Sequence, residues 1–326
     1  MRALLLTLTA ALATPAWADF AEVVNVHLRP SLAGFFARTA DLAQAAQSSC
    51  NPASLTPAFN AAFDAWMPLA DVRLGPSEEA NLSIAFWPDS RGFTEKALRQ
   101  ILSANDPVAE DPAAYAHVSI AARGLFALER MLFDPAFSPR PDAPLNCTLV
   151  QTIAADLAAQ AAALETAWDA GFAETLLTAG ANSTFQTPLE ARRAIYTQIL
   201  AGLEFTEATR IGRPLGEPLK PRPKRAEAWR SGRPLRNITL ACGTALRLAH
   251  ALGDDLPLPK SDAALARVLE QASTITDPSF QDIDDPIARF RLEVLQQSVV
   301  SLKTALSEEL GPPLSLTVGF NSQDGD

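Results

Sequence analysis

Residues 148–178 read TLVQTIAADLAAQAAALETAWDAGFAETLLT, and this stretch decides the fold class. Its large apolar residues recur at helical spacing and share one helix face, with alanines between them: Leu149, Ile153, Leu157, Leu164, Trp168, Phe172 and Leu176. Similar patterns occupy roughly residues 20–46, 56–73, 93–104, 114–133, 187–210, 232–252, 262–275 and 285–310. Alternating apolar and polar runs, which are typical of strands, are almost absent. The sequence therefore predicts an all-α protein.

A polar gap at residues 180–183 separates two groups of predicted helices. It is followed by Thr187-Pro188-Leu189-Glu190, a capping box with proline at the first helical position, which marks the start of a new helix. We place an N-terminal helical bundle at residues 19–183 and a C-terminal bundle at residues 184–326. Each side holds four main helices, the usual number for closing a bundle around one core. We expect two four-helix-bundle-like halves that pack together as one domain.

Composition and missing motifs exclude several classes of function. The chain has 326 residues, 48% of them hydrophobic, and a formal net charge of −10, so neither wholesale disorder nor nonspecific nucleic-acid binding fits. It contains no HExxH, GxSxG, P-loop or GxGxxG motif. The lack of CxxC and CxxCH excludes thioredoxin-like redox chemistry and covalent c-type haem. The three histidines, His27, His117 and His250, favour structural roles over a metal site.

Residues 1–18 have the pattern of a cleaved signal peptide. Arg2 precedes an apolar stretch over residues 3–13, and Ala16-Trp17-Ala18 supplies the small residues of a cleavage site before Asp19. The apolar stretch is about half the roughly 20 residues that span a membrane, and no cysteine follows the cleavage point to carry a lipid. We expect export to the periplasm, and a mature chain without a membrane span because no later segment reaches spanning length.

The three cysteines are interpreted with export in mind. Cys50 ends the first helical stretch and Cys147 opens a later one, so a bridge between them would close a long loop and stabilise the fold by roughly 2–4 kcal/mol. Cys242 lies within a helical pattern and is predicted to be a buried free thiol. Because three cysteines allow three single pairings, the Cys50–Cys147 bridge is favoured by position alone.

Residues 210–236 form a proline- and arginine-rich segment. Prolines between residues 212 and 223 prevent a regular helix there. One third of the Lys and Arg residues of this acidic chain lie in the segment: Arg210, Arg213, Lys220, Arg222, Lys224, Arg225, Arg230, Arg233 and Arg236. Within it they face only Glu217 and Glu227. Two interpretations stay open: a solvated linker that balances acidic neighbours, or an anion site, since arginine binds carboxylates and phosphates bidentately.

The helix predicted over residues 121–133 carries a carboxylate beside its apolar face. Leu125, Leu128 and Leu132 form the buried stripe, and Glu129 lies next to it. A carboxylate that is buried there must be paired or protonated. The structural alternative to a functional site is a glutamate with an arginine partner that holds helices together.

The stretch from Gly124 to Glu129, GLFALE, resembles the GxHxxE signature of imelysin-like proteins, a family once classed as M75 peptidases. Other segments agree in order along the chain, and the last one resembles the C-terminus of proteobacterial members: Arg73-Leu74-Gly75-Pro76, Phe86-Trp87-Pro88-Asp89, Glu227-Ala228-Trp229-Arg230-Ser231-Gly232-Arg233, Leu235-Arg236-Asn237-Ile238 and Gly319-Phe320-Asn321-Ser322-Gln323-Asp324-Gly325-Asp326. The resemblance implies an exported helical protein of two related bundles with its site at their junction. It also implies a role in iron acquisition, in settings shared with haem-containing oxidoreductases.

The motif departs from the family pattern at the position of its histidine. Phe126 stands there and cannot bind a metal, whereas Gly124 and Glu129 are retained. Loss of the imidazole removes the nitrogen ligand of a His/Glu pair, so a zinc-peptidase mechanism loses its main support. Ferric iron prefers oxygen, and the carboxylates that we consider as metal candidates are Asp71, Asp89 and Glu129.

The retained residues suggest an anion-binding junction site. In the family's arrangement one cleft would collect the following residues: Gly124, Phe126, Glu129, Arg73, Trp87, Asp89, Arg230, Ser231 and Arg233. The arginines would hold the carboxylates of a chelate or the propionates of haem, and Trp87 would supply a flat apolar wall. The structural alternative is an arginine–glutamate network that fastens the two bundles together.

We therefore expect an exported, non-catalytic imelysin-like protein that binds iron, an iron chelate or haem at the junction of its two bundles. The cofactor is open, with iron or haem as candidates. The expected partners are a small anionic or iron-containing ligand and an envelope redox or iron-transport protein, and no nucleic acid. The alternatives are a metallopeptidase-like enzyme, which Phe126 disfavours, and a scaffold that docks an envelope haem oxidoreductase.

Overall fold

The computed structural model describes residues 20–318, which contain helices, turns and isolated bridges but no strand. The helices of the first half are α1 (Arg29–Ser48), α2 (Pro52–Ala70), α3 (Pro76–Ile84), α4 (Phe93–Ser103), α5 (Pro112–Tyr115), α6 (Gly124–Phe133), α7 (Pro144–Ala167) and α8 (Ala173–Leu177). Those of the second half are α9 (Pro188–Phe205), α10 (Gly212–Leu215), α11 (Pro234–Gly253), α12 (Pro259–Ser273) and α13 (Pro286–Leu310). The predicted all-α class is confirmed.

Each half is built around four main helices. In the first, α1 packs against α2 and α7, and α6 packs against α7 and α2. In the second, α9 and α12 each pack against α11 and α13. These faces bury the leucines, alanines and aromatic rings that the helical periodicity singled out, including Trp66 and Trp168. Two four-helix-bundle-like halves packed together are therefore the architecture of the chain.

The two halves meet along α11. This helix packs against α2 of the first half and against the π-helical turn Glu22–Leu28 that precedes α1. Buried apolar side chains run through this contact without a break, so both halves share one core. The bundle boundary between residues 183 and 184 stays a prediction.

Proline and polar caps mark the helix starts as the sequence predicts. At the start of α9, Glu190 N–H donates to Thr187 Oγ1 at 3.2 Å, and Pro188 occupies the first helical position. The Glu190 carboxylate accepts from Gln186 N–H at 2.7 Å, one residue before the expected cap position. The capping box is confirmed, with this shift in its second hydrogen bond.

The cysteine predictions are both confirmed. Cys50 and Cys147 form a disulfide whose Cα atoms lie 5.3 Å apart and which closes a separation of 97 residues. It ties the end of α1 to the start of α7. Cys242 is a buried free thiol in α11, and burial raises its pKa to about 12.

The predicted continuous helix over residues 114–133 is wrong, because α5 ends at Tyr115 and α6 begins only at Gly124. The backbone of Gly124 has φ +71°, and a Cβ atom there would lie 2.2 Å from Ile84 O. The chain therefore forms α5, a 3₁₀ turn at Ile120–Ala122 and only then α6. The glycine allows α6 to approach the end of α3, a helix that the periodicity did not predict.

Two further expectations concern the ends of the chain and its most apolar helix. The signal peptide at residues 1–18 and the tail motif at residues 319–326 lie outside the described residues. The sequence analysis also expected that no later segment reaches the length of a membrane span, and this is wrong. The helical stretch Pro144–Leu177 is long enough and, with a window of mean hydropathy 1.3, apolar enough to cross a membrane. Half of that window is buried inside the protein, as in the core helix of a bundle.

Candidate functional site

Glu129 on α6 meets the turn before α11. Ser231 N–H donates to Glu129 Oε1 at 3.1 Å, and the Ser231 hydroxyl lies 3.3 Å from the same oxygen. Ser231 belongs to the 3₁₀ turn Trp229–Ser231, which two left-handed residues bracket: Ala228 with φ 47° and Gly232 with φ 70°. The predicted meeting of the glutamate helix and the arginine-rich turn is thus present in the fold.

The carboxyl group of Glu129 is buried, and its pKa is shifted from the ordinary value. The side chain is only 3% exposed, and burial raises its pKa against the opposing effects of the Arg230 charge and of the hydrogen bonds from Ser231. The single hydroxyl proton of Ser231 also has a second acceptor, Ala228 O at 3.0 Å. A protonated Glu129 removes this competition, because its own O–H can then donate to Ser231 Oγ.

Phe126 takes part in an aromatic wall beside Glu129. Its ring stacks on Trp87, with centroids 6.2 Å apart and planes inclined by 16°, and meets Phe63 edge-on at 5.7 Å. Trp87 in turn contacts Phe205 edge-on at 5.8 Å. Such contacts are favourable beyond the area they bury. The phenyl group that replaces the motif histidine therefore packs into an apolar surface next to the carboxyl group.

A cavity of about 280 Å³ opens at this place, lined by residues of both halves. Five of the sequence-predicted site residues line it: Trp87, Asp89, Phe126, Glu129 and Arg230. Sequence reasoning did not select its other charged lining residues, namely Glu95, Arg130, Arg213, Lys224 and Arg225. The last three lie in the basic segment, and its proposed anion site was the signal that pointed to them.

The carboxylates in and behind this cavity are already engaged. Asp89 accepts from Phe93 N–H at 2.9 Å and from Thr94 N–H at 2.8 Å, which caps α4. Glu95 is paired with Arg99 and Arg130. Asp134 lies behind the lining and is ion-paired to Arg130 Nε at 2.8 Å and to Arg230 Nε at 3.3 Å. Its carboxylate therefore partly neutralises both arginines.

Three cations of the lining have no such partner. Arg213, Lys224 and Arg225 form no ion pair with a carboxylate of residues 20–318. Arg213 donates to Ser90 Oγ at 3.0 Å, while its Nε is buried without a hydrogen-bond partner. Burial and the neighbouring charge of Arg225 lower the pKa of Arg213. These three cations therefore give the cavity lining positive charge that no carboxylate of residues 20–318 pairs with.

Other arginines of the basic segment are held in ion pairs. Arg210 is buried, donates to both oxygens of Asp71 at 2.9 and 3.1 Å, and donates through Nε to Glu227 at 3.0 Å. These two carboxylates raise the pKa of Arg210 despite the opposing effect of burial. Asp71 ends α2 and Glu227 precedes α11, so this cluster fastens the two halves.

The same network continues along α11. Asn237 Nδ2 donates to Glu227 at 3.0 Å, and Arg233 donates to Asn237 Oδ1 at 3.1 Å. Asp64 on α2 is ion-paired to both Arg233 and Arg236. The structural alternative of an arginine network at the junction is therefore present, but it lies beside the cavity and uses different arginines.

Four predicted site residues do not line the cavity: two arginines pack behind its aromatic rings, Gly124 lets α6 approach α3, and Ser231 binds Glu129. Arg233 stacks on Phe63 at 4.6 Å, and Arg73 stacks on Phe205 at 5.9 Å, so each lies behind a ring that contacts Phe126 or Trp87. Gly124 contacts the backbone of Ile84 at the start of α6. Ser231 reaches the site through its hydrogen bond to Glu129.

The three candidate metal carboxylates do not converge. Asp71 is bound by Arg210, Asp89 caps α4, and Glu129 faces Ser231. Within residues 20–318, no group of three or more His, Cys, Asp or Glu side chains is placed to hold a metal ion. Because Phe126 also replaces the imidazole, the residues of this site do not fit a bare metal ion.

Comparisons with known proteins agree with this architecture. The chain is similar to an imelysin-like protein from Psychrobacter arcticum (TM-score 0.75, 18% identity, covering 92% of this chain and 96% of that one). It is also similar to a "putative iron-regulated protein A precursor" from Parabacteroides distasonis (TM-score 0.72, 14% identity, covering 91% and 95%). No curated protein matches the sequence. The family model described as Imelysin matches residues 28–306, so the chain belongs to the imelysin family, peptidase M75.

Proposed function

We propose that this chain is an exported, non-catalytic protein of iron acquisition that holds an iron-containing anion in the cavity beside Glu129. Iron is cargo in this proposal and not a resident cofactor. The observation that carries it is the cavity: the same lining contains an aromatic wall and cations that no carboxylate of residues 20–318 pairs with. A carboxylate chelate of ferric iron or a haem with its propionates presents anionic groups of the kind such a wall and such cations bind.

Two lines of support come from the family. The chain belongs to the imelysin family, and the sequence resemblance to that family, which implies iron acquisition, supports the proposal. One structural relative is named for iron regulation. An envelope haem oxidoreductase or iron-transport protein would deliver or accept the cargo, and it belongs to the proposal as the expected partner.

Direct binding tests the proposal. Ferric citrate and haem are titrated separately into the purified protein by calorimetry, and we expect one of them to bind. Trp87→Ala should weaken that binding, whereas Phe290→Ala, which removes an exposed ring outside the cavity lining, should leave it unchanged. Failure of both ligands to bind would contradict the proposed function.

Export and the lack of catalysis have their own tests. We expect the protein recovered from the periplasm to begin at Asp19, and a chain that retains its first 18 residues in the cytoplasm would argue against export. The metallopeptidase alternative requires chelator-sensitive cleavage of a peptide library. We expect none, because Phe126 occupies the position of the motif histidine.

A further inference from the structure

The basic segment divides its cations between two tasks. Three of its arginines form ion pairs in the network that fastens the halves: Arg210 with Asp71 and Glu227, and Arg233 and Arg236 with Asp64. Arg213, Lys224 and Arg225 line the cavity without a carboxylate partner among residues 20–318. Charges that serve only solubility do not need to gather around a concave surface, so this group calls for a ligand.

We propose that Arg213, Lys224 and Arg225 bind a small polycarboxylate, such as the tricarboxylate of citrate, whose carbon skeleton lies against the aromatic wall. This inference rests on the proposed function and names the ligand class for the same cavity. Arginine recognises a carboxylate through two parallel hydrogen bonds, and lysine adds a point charge. Three clustered cations therefore match a ligand with several carboxylates better than one with a single carboxylate.

The carboxyl groups of the cavity lining are all engaged within the protein, which limits their repulsion of an anionic ligand. The Glu129 carboxyl group is buried and accepts hydrogen bonds from the Ser231 backbone N–H and hydroxyl. The Asp89 carboxylate accepts hydrogen bonds from three backbone N–H groups at the N-terminus of α4. Glu95 lies between Arg99 and Arg130. Each carboxyl group of the lining is thus hydrogen-bonded, capped or paired within the protein.

Size and surface favour a polycarboxylate over two other anions. A volume of about 280 Å³ lies just below the range of roughly 300–1,000 Å³ that is typical of ligand pockets, so it favours a small anion over a tetrapyrrole. Inorganic phosphate would contact the cations but leave Trp87 and Phe126 facing water. A tricarboxylate can pair its carboxylates with the cations and lay its carbon skeleton against Trp87 and Phe126.

Calorimetric titration of metal-free citrate tests the assignment independently of iron. The variants are Lys224→Gln with Arg225→Gln, which removes two exposed cations of the lining, and Lys220→Gln as a matched control. Lys220 lies on the same segment, is paired with Glu217 and does not line the cavity. Thermal melting of each variant checks that the fold is retained, as expected for substitutions of exposed side chains.

We expect the double variant to bind citrate at least about tenfold more weakly than the unchanged protein, and the control to bind equally well. Absence of citrate binding to the unchanged protein, equal binding by the double variant, or tighter binding of phosphate or haem than of citrate would overturn the assignment. If ferric citrate binds the double variant normally, the ligand class is wrong and the iron proposal stands. If citrate binds but ferric citrate and haem do not, the proposed function is wrong and the polycarboxylate site stands.

Discussion

Glu129 and Ser231 lie 102 residues apart in the sequence, and the carboxyl group of the first accepts the backbone N–H of the second at 3.1 Å. This contact joins α6 of the first half to the turn that precedes α11 of the second. Because Glu129 is buried, the junction depends on a polar group whose hydrogen bonds and protonation state both affect stability.

The raised pKa of Glu129 predicts a stability that depends on pH. Its folded pKa lies above the ordinary value of 4.5, so the folded state binds more protons than the unfolded state between the two pKa values. The free energy of unfolding should therefore fall as pH rises above the ordinary pKa, until the folded pKa is passed. Glu129→Gln keeps a hydrogen-bonding side chain without the titration and should lack this component.

Denaturant unfolding of both proteins across pH 4–9 measures the difference. We expect the glutamine variant to gain stability relative to the unchanged protein with rising pH. Parallel pH profiles would show that Glu129 titrates normally. Glu129→Ala removes the acceptor altogether and should cost about 1–3 kcal/mol near pH 4, because Ser231 N–H loses its partner. This cost should shrink as pH rises, because the alanine variant lacks the titration as well.

The buried cation Arg210 should be far more important to stability than an exposed one. Arg210→Ala leaves Asp71 and Glu227 without their shared partner at the junction, and we expect a loss of about 3–5 kcal/mol in the free energy of unfolding. Arg38→Ala is the matched control, because its pair with Asp41 is exposed and should contribute less than about 1 kcal/mol. Similar losses in the two variants would contradict the junction network.

Reduction of the Cys50–Cys147 bridge should destabilise the protein. The bridge closes a separation of 97 residues, and loss of a native disulfide typically costs roughly 2–5 kcal/mol. We expect a reducing agent to lower the melting temperature of the unchanged protein but not that of the Cys50→Ala, Cys147→Ala double variant. A reductant effect in the double variant would point to Cys242 or to a nonspecific cause.

Phe126→His should create a metal-binding pair that the natural chain lacks. The substitution places an imidazole three residues before Glu129 on α6, within reach of the same metal ion. We expect Zn²⁺ to bind at least about tenfold more tightly than to Phe126→Ala, measured by calorimetry near pH 7. Equal affinities would mean that Glu129 cannot turn from Ser231 to a metal.

Some elements of the fold are predictable from local sequence. The capping box of Thr187 and Glu190 predicts the start of α9, because a cap depends only on residues a few positions apart. The pairing of Cys50 with Cys147 follows from their places at two helix ends. The break at Gly124 does not follow, since its cause is contact with Ile84 O from another helix. Periodicity cannot report such a contact.

The sequence by itself determined the all-α class, the two groups of helices and the presence of a segment rich in proline and arginine, because side-chain periodicity, proline and composition act locally. Only the tertiary structure decided which cations of that segment are free. Arg210 and Arg213 differ little in sequence context, yet one lies between Asp71 and Glu227 and the other lines the cavity. Ion pairing depends on distance through space between residues far apart along the chain, and folding alone sets that distance.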